Sequence, residues 1–454
     1  MKKVFRILGL CLLAVGFSLV LSGCGTKTAT TSKTVVVWSF EDEDAWQPII
    51  KAFASKNKGY TLTYVKQLPD ENYENKVLNS ILTDQTPDVW AMPNDWVYRH
   101  KDKLSPAPST ITKTLNLDKQ YVPSIKESVF FDNSVYALAP SSEPLMIYYN
   151  PKLFETALTE FNATEAAKDA NVKKRTNTLL AEPPALWSDF TETAKLLTKK
   201  DKTNITQAGV AMGTQRISNA SDIIYLLMLQ NETDILSLDS KLATFNLPKG
   251  TSTGANDIPG KRAIEFYTAF ATPSSSSYSW NDALGSDVEA FAAGKVGMIF
   301  GYSSLANTFL QKYPDFKYKK AYMPQLTNDS TKITDYARFT AFGVSKYSKN
   351  PNQGWSLASL IANDQADEFN SATKKYSSKK SSSYDIALKN RTGSSPEKLE
   401  LATARSLVKG RYPAEFDFYI KQTVASILAQ SINPGTALDL TANKITELLR
   451  KESW

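Results

Sequence analysis

The sequence predicts an α/β protein of two domains, in which a mostly parallel sheet carries helices on its faces. Three observations lead there. The chain has 454 residues, more than one ordinary core can organise. Apolar residues make up 42% and charged residues 22%, the balance of a globular chain. The body opens with strand, helix, strand, helix and strand patterns in turn, the order of crossover-connected parallel strands.

The elements follow in sequence order. Thr34 to Trp38 (TVVVW) is a β-branched run suited to a buried strand. Acidic Glu41 to Asp44 come next, where a helix start favours negative charge. Trp46, Ile49, Ile50 and Phe53 then recur at the spacing of one helix face. Tyr60 to Val65 reads as a second strand, Glu71 to Asp84 as a helix, and Thr86 to Ala91 as a turn leading into a third strand. Ser134 to Ala139 and Leu145 to Tyr149 are further strands. Leu186, Phe190, Ala194 and Leu197 form another helical stripe. Ile223 to Leu229 is apolar all round and predicts a buried helix. Val296 to Phe300, Tyr318 to Tyr322 and Phe339 to Val344 read as strands. From Pro396 the pattern is helical and ends in the stripe Leu438, Ala442, Ile445 and Leu449, after a break at Asn433-Pro434-Gly435. Ser274 to Ser277 and Tyr376 to Ser383 (YSSKKSSS) are polar stretches expected as exposed loops.

The first residues form a separate unit. Lys2, Lys3 and Arg6 precede an apolar run from Ile7 to Leu21, and small residues Ser22 and Gly23 follow. This is the grammar of a secretory signal peptide over residues 1–23, too short for a comfortable membrane span. The ending Leu21-Ser22-Gly23-Cys24 resembles the bacterial lipobox, which implies that Cys24 is lipidated and becomes the first residue after cleavage. Two acyl chains there would anchor stably where one is marginal. Residues 24–33, with the Thr-rich GTKTATTSK, read as a flexible tether.

Composition excludes several chemistries. Both cysteines, Cys11 and Cys24, fall in this leader unit, so the body has no thiol for a disulfide, a Cys-based metal site or a cysteine nucleophile. The single histidine, His100, lies in YRHKDK, expected as an exposed helix end. No metal site or cofactor is expected. EDEDAW lacks the spacing of a calcium loop. The stretch from Gly254, GANDIPGKR, has five residues between its glycines where a phosphate loop has four, and Arg262 replaces Ser/Thr. The formal charge of +7 comes partly from the leader, and no basic block interleaves with aromatics, so no nucleic-acid partner is expected.

Several segments, in order, resemble the family-1 extracellular solute-binding proteins typified by maltose-binding protein: VVVWSFEDEDAW, TPDVWAMPNDW, NSVYALAPSSEPLMIYYNPKLF, PPALWSDF, VEAFAAGKVGMIFGY, FGVSKYSKNPNQGW and SINPGTALDLTANKI. They span residue 34 to about 450. Two departures stand out: Glu160 to Thr178 is an insertion expected as an exposed helix or hairpin, and Ser134 replaces a family glycine. The resemblance implies a two-lobed, periplasmic-binding-protein-like (type II) fold, in which lobes joined by two or three crossing strands close on ligand by a hinge. It sets lobe 1 at 34–142 plus 301–345 and lobe 2 at 143–300 plus 346–454. It implies a monomer that captures a small polar solute, a mono- or oligosaccharide above all, for an ABC permease at the outer face of the cell membrane, without catalysis. Two other readings are a lipid-anchored sensor or adhesin of the same fold and a secreted glycosidase, which needs two carboxylates at a set separation.

A sugar needs carboxylates, amides and Arg for its hydroxyl edges and aromatic rings for its C–H faces. In open α/β folds such ligands sit at the carboxyl ends of strands. Phe40, Glu41 and Asp42 follow the first strand, and Asp95 and Trp96 the third. Arg338 precedes a crossover strand, and Trp280 sits in a polar loop. By resemblance, Glu143 matches a ligand-binding glutamate, Asp95 an aspartate of the third-strand loop, Tyr302 a position where a stacking Trp is common, and Phe416 another aromatic. Trp38, Trp46, Trp90 and Trp187 are expected in the core.

Overall fold

A computed structural model describes residues 33–451, apart from 84, 203, 250–256 and 381–394. The leader, Cys24, all but the last residue of the tether, and Gly254 to Asn256 of GANDIPGKR lie outside the described residues.

The body begins with strand Lys33–Ser39 (β1), helix Glu43–Lys56, strand Tyr60–Lys66 (β2), helix Tyr73–Leu82 and strand Val89–Pro93 (β3). This is the expected order, and β1 pairs in parallel with both β2 and β3. Trp46, Ile49 and Phe53 of the first helix are fully buried. Later strands are Phe130–Phe131 (β4), Ser134–Val135 (β5), Ala137–Leu138 (β6), Ser141–Pro144 (β7), Met146–Tyr149 (β8), Lys199–Asp201 (β9), Asn204–Val210 (β10), Val296–Gly301 (β11), Lys319–Ala321 (β12), Asp335–Arg338 (β13), Thr340–Val344 (β14), Tyr376–Ser377 (β15) and Ala404–Arg405 (β16).

Two five-stranded sheets form the lobes, ordered β2-β1-β3-β14-β6 and β12-β8-β11-β10-β9. Each contains one reversed central strand: β14 runs against β3 and β6, and β8 against β11 and β12. Both reversed strands directly follow a strand of a third sheet, ordered β15-β7-β13-β16. At β8 and β14 the chain passes straight from this third sheet into a lobe with no crossover helix between, so these strands run opposite to those fed by crossover helices.

The apolar core is divided accordingly. One cluster holds Val35 to Ala139, Ala337 to Phe369, Leu401 and Ala404. The other holds Leu145 to Met323, Tyr336 and Phe416 to Leu449. Among the described residues the chain thus changes lobe three times, at β7, at β13 and after β16, and the small third sheet is the hinge. This moves two boundaries from where the sequence put them. The chain after β11 does not cross, because helix Leu305–Lys312 folds back on its own sheet and packs Phe309 against Phe291 and Tyr318. The chain after β14 stays with the first lobe, because helix Pro351–Ser359 buries Trp355 and lays Gly354 against Val344 and Val89, where a Cβ would stand 2.9 Å from Val344.

Three other expectations change. The strand expected over Ser134 to Ala139 splits: β5 turns back on β4, while β6 joins the first sheet. The start of the YSSKKSSS stretch is not an exposed loop. There β15 pairs with β7, and the fully buried Ser378 donates its hydroxyl to the Ala139 carbonyl. Its backbone hydrogen bonds decide this, since its side chains carry no apolar signal. His100 is buried rather than exposed: its ring lies between Trp90 and Trp96, at 5.7 and 5.9 Å, and its Nε2 lies 2.8 Å from Glu74.

The second lobe packs as its stripes predict. Phe190, Ala194 and Leu197 are fully buried, as is nearly all of helix Ala220–Gln230. Gly209 lets the first of these helices lie on β10, since a Cβ there would stand 1.9 Å from the Ala194 carbonyl oxygen. The insertion folds as a short 3-10 turn, Glu165–Lys168, and the mostly exposed helix Ala170–Leu179, clipped to the body by Arg175 through Asp189 and Glu192.

Candidate functional site: a polar seam between two lobes

The strand ends that face the hinge carry an unusual density of polar groups. The in-register pairing of β7 with β13 sets Glu143 opposite Arg338. Glu143 Oε2 accepts the Ser304 backbone N–H at 3.3 Å. Arg338 donates to Ser304 Oγ at 3.1 Å, and its guanidinium lies 3.9 Å over the Tyr302 ring, a cation–π geometry. The Tyr302 hydroxyl donates to Asp222 at 2.7 Å, and the Tyr148 hydroxyl to the Tyr302 carbonyl at 2.8 Å. Arg338 is exposed, so its remaining donors are open to solvent.

A second cluster joins the lobes directly. Asp95 comes from helix Asn94–Arg99 of the first lobe, and its neighbour Asn94 accepts the Phe339 backbone N–H. Lys409 stands 3.7 Å from Asp95 and 2.8 Å from Asp417, with its side chain only 7% exposed. Tyr225 donates to Asp417 at 2.6 Å, and Phe416 packs edge-on against the Tyr225 ring. Burial outweighs the pull of Lys409 and pushes the Asp95 carboxyl above its usual range. Burial also acts to lower Lys409, but Asp417, with Asp95 and Asp222 among its other neighbours, raises it well above an ordinary lysine. Burial and the nearby carboxylates raise Tyr225, Tyr302 and Tyr336 far above a free phenol. All three therefore remain hydrogen-bond donors.

The loop after β1 forms the first-lobe rim. The Glu41 side chain is 6% exposed, and it accepts from Ser39 and, at 3.0 Å, from Lys375. Burial would raise its pKa, but the charge of Lys375 and the Ser39 hydroxyl lower it, so it is ionised. Phe40 packs edge-on against Tyr73, and Trp96 stacks on the same Tyr73. Asp42 points to solvent beside Lys66, its side chain 86% exposed. Phe40, Glu41 and Asp42 line a groove of about 680 Å³ that faces helix Leu305–Lys312 of the second lobe.

The structure therefore gathers Glu143, Tyr302 and Arg338 into one cluster and sets Asp95 beside Lys409 in another, with Phe416 behind it. Phe40, Glu41 and Trp96 lie at the first-lobe edge. Trp280 does not join them: it is 1% exposed inside the second-lobe core, because the loop carrying it folds under through a Trp280 N–H bond to the Phe270 carbonyl. Phe416 is equally buried and supports the seam from behind.

Sequence reasoning missed Asp222, Tyr225, Ser304, Lys375, Lys409 and Asp417. One signal was present: Asp222 and Tyr225 are polar groups inside an otherwise apolar helix, and a buried polar group requires a partner. Lys409 in VKGRYP gives no such hint. Among the described residues no cluster of His, Cys, Asp and Glu could hold a metal, and no helix is long and apolar enough to cross a membrane.

Chemically, the seam offers carboxylate acceptors and guanidinium, ammonium and phenol donors, with aromatic rings beside them. A profile of bacterial extracellular solute-binding proteins matches residues 48–391. The chain belongs to that family. Curated protein sequences give no match. Solved structures share the two-lobed fold at low identity. The sugar-binding protein MalE of Xanthomonas citri has a TM-score of 0.68 at 14% identity, covering 93% of this chain and 98% of its own. The cyclic α-maltosyl-1,6-maltose binding protein of Arthrobacter globiformis scores 0.68 at 17%, covering 92% and 99%. An ABC transporter solute-binding protein of Thermotoga lettingae, bound to α-D-tagatose, scores 0.63 at 18%, covering 92% and 100%. This solute-binding chain shares their architecture over more than nine-tenths of its length.

Proposed function

We propose that this solute-binding protein captures a saccharide between its lobes and delivers it to an ABC permease. The single observation that carries the reading is the Glu143–Ser304–Arg338–Tyr302 cluster. It brings hinge residues and second-lobe residues to one point, offering both acceptors and donors to a ring of hydroxyls. The sugars named for the similar folds support this reading.

Closure follows from differential affinity: a ligand that touches both lobes favours the state in which both reach it. The mature chain works as a monomer at the outer face of the cell membrane, held by lipid on Cys24. The protein binds without turning its ligand over. The seam carboxylates are engaged with cations, hydroxyls or backbone N–H groups, and His100 is paired with Glu74. A thermal-shift screen over mono- and oligosaccharides tests the proposal. A true ligand at 100 times its dissociation constant stabilises the folded state by about 2.7 kcal/mol. A panel that leaves the melting temperature fixed, or a sugar that is hydrolysed by the protein, contradicts it.

A further inference from the structure

β1 enters the first lobe at the end opposite the hinge. β14 runs outward from the hinge sheet and finishes at Val344, level with Val89 and, through it, with Val37. Lys33 lies four residues before Val37, about 13 Å further out at the rise of a strand. Two loops flank it there. The Gly59 carbonyl accepts the Lys33 backbone N–H at 3.0 Å, and the Asn350 side chain donates to the Thr34 carbonyl at 3.2 Å. The segments Lys33-Thr34, Asn57-Lys58-Gly59 and Ser345-Lys346-Tyr347 thus meet at one end of the lobe, and they carry three lysines and no carboxylate. Lys33, Lys58 and Lys346 are all exposed, and among the described residues none of the three has a side-chain partner. Carboxylates of the adjoining segments are already engaged. Asp88 is buried and accepts the Val36 N–H and the Ser348 hydroxyl, Asp102 holds Lys103, and Asp364 holds Lys56. Tyr347, beside Lys346, is 51% exposed. A phenol ring among ammonium groups suits the headgroup level of a bilayer, where tyrosine is enriched. The same end leads back to Cys24. Lys33 is nine residues on from Cys24, a reach of at most about 30 Å.

We infer that this end of the first lobe docks on the anionic headgroups of the bilayer, through Lys33, Lys58 and Lys346 with Tyr347 beside them. The inference rests on the lipid anchor read at Cys24 and extends it from a tether to a bound orientation. Each lysine near an anionic surface favours the docked orientation about five-fold, so three favour it about a hundred-fold. The second lobe, joined through the hinge sheet, is then the one that moves on closure.

The mature chain has one thiol, Cys24, so it can be coupled there to a maleimide lipid in vesicles. One set holds about a third phosphatidylglycerol, and the other is neutral phosphatidylcholine. Brief acetylation read by mass spectrometry reports which lysines are covered. On anionic vesicles Lys58 and Lys346 should react about five-fold more slowly than on neutral ones at physiological salt. The difference should vanish at 1 M salt, where the screening length is about 3 Å. Lys295 and Lys319, exposed at the outer end of the second-lobe sheet, should react equally on both. The double variant Lys58→Glu/Lys346→Glu changes exposed side chains only, and should abolish the protection of Lys33. Equal labelling on the two vesicle types, protection that survives 1 M salt, or protection of Lys295 and Lys319 instead overturns the inference. Each of these leaves the lipid anchor in place, because the coupled lipid stands in for it. Mass spectrometry of the mature protein from its own cells decides the anchor separately, and a Cys24 without acyl chains overturns both.

Discussion

Replacing Lys409 by Met removes a cation that lies within 4 Å of both Asp95 and Asp417. The lysine side chain is 7% exposed, and the two carboxylates are 24% and 29% exposed, so water restores little of what is lost. Removing one partner of a buried pair costs about 3–5 kcal/mol. Asp95 already has a raised pKa and Asp417 keeps the Tyr225 hydroxyl, which places the cost at the lower end, about 3 kcal/mol. Urea unfolding followed by tryptophan fluorescence reads this as a shift in midpoint at constant slope. The deficit has a sign in pH. With the cation gone, Asp95, which burial already raises, has a folded pKa above its unfolded one, so the deficit shrinks as pH falls from 7 towards 4 and this acid protonates. The double change Lys409→Met/Asp417→Asn should recover at least half of the loss, since it removes a buried charge as well. A single-variant cost below about 1 kcal/mol, or no recovery in the double variant, would refute the idea that this pair clamps the seam.

Other outcomes follow from the same geometry. Glu143→Ala should weaken saccharide binding by more than about 1 kcal/mol, the net worth of a typical hydrogen bond, and an unchanged calorimetric affinity removes Glu143 from the site. His100 is held at a pKa of about 4 by burial, with Glu74 opposing. The unfolded chain therefore takes up a proton at about pH 6.5 that the folded chain does not. Stability is full above that pH and falls as pH drops from 6.5 towards 4, by up to about 3 kcal/mol. His100→Gln should remove this part of the acid sensitivity, and an unaltered pH profile in that variant contradicts the assignment. Trp280→Ala should cost about 3–5 kcal/mol in thermal unfolding as a core cavity. A loss within 0.5 kcal/mol, the range of surface changes, would mean that its ring is not packed.

The parts legible in sequence were those written in local periodicity. The β-branched run before Trp38, the stripe through Trp46, Ile49 and Phe53, and the apolar helix around Tyr225 each announced its burial. Position was legible where residues follow strand ends, as with Glu41, Asp95 and Tyr302, which lie on the sides of the lobes that meet at the hinge. Trp280 misled because its polar neighbours hide a loop that tucks beneath the core. The lobe exchange was not legible in detail: whether the chain after Gly301 or Val344 crosses depends on how Phe309 and Trp355 pack. Both residues sit on helices whose patterns fit either lobe. Lys409 was invisible for another reason. Its partners Asp95 and Asp417 meet it only when both lobes are assembled, and a lysine between Val408 and Gly410 carries no periodic signature.

Small-angle scattering from the mature protein, titrated with the tightest-binding saccharide from the thermal screen, tests lobe closure most directly. The radius of gyration should fall in step with occupancy and stop falling at one ligand per chain. A fully occupied protein whose radius equals that of the free protein would show that the lobes do not close on what they bind.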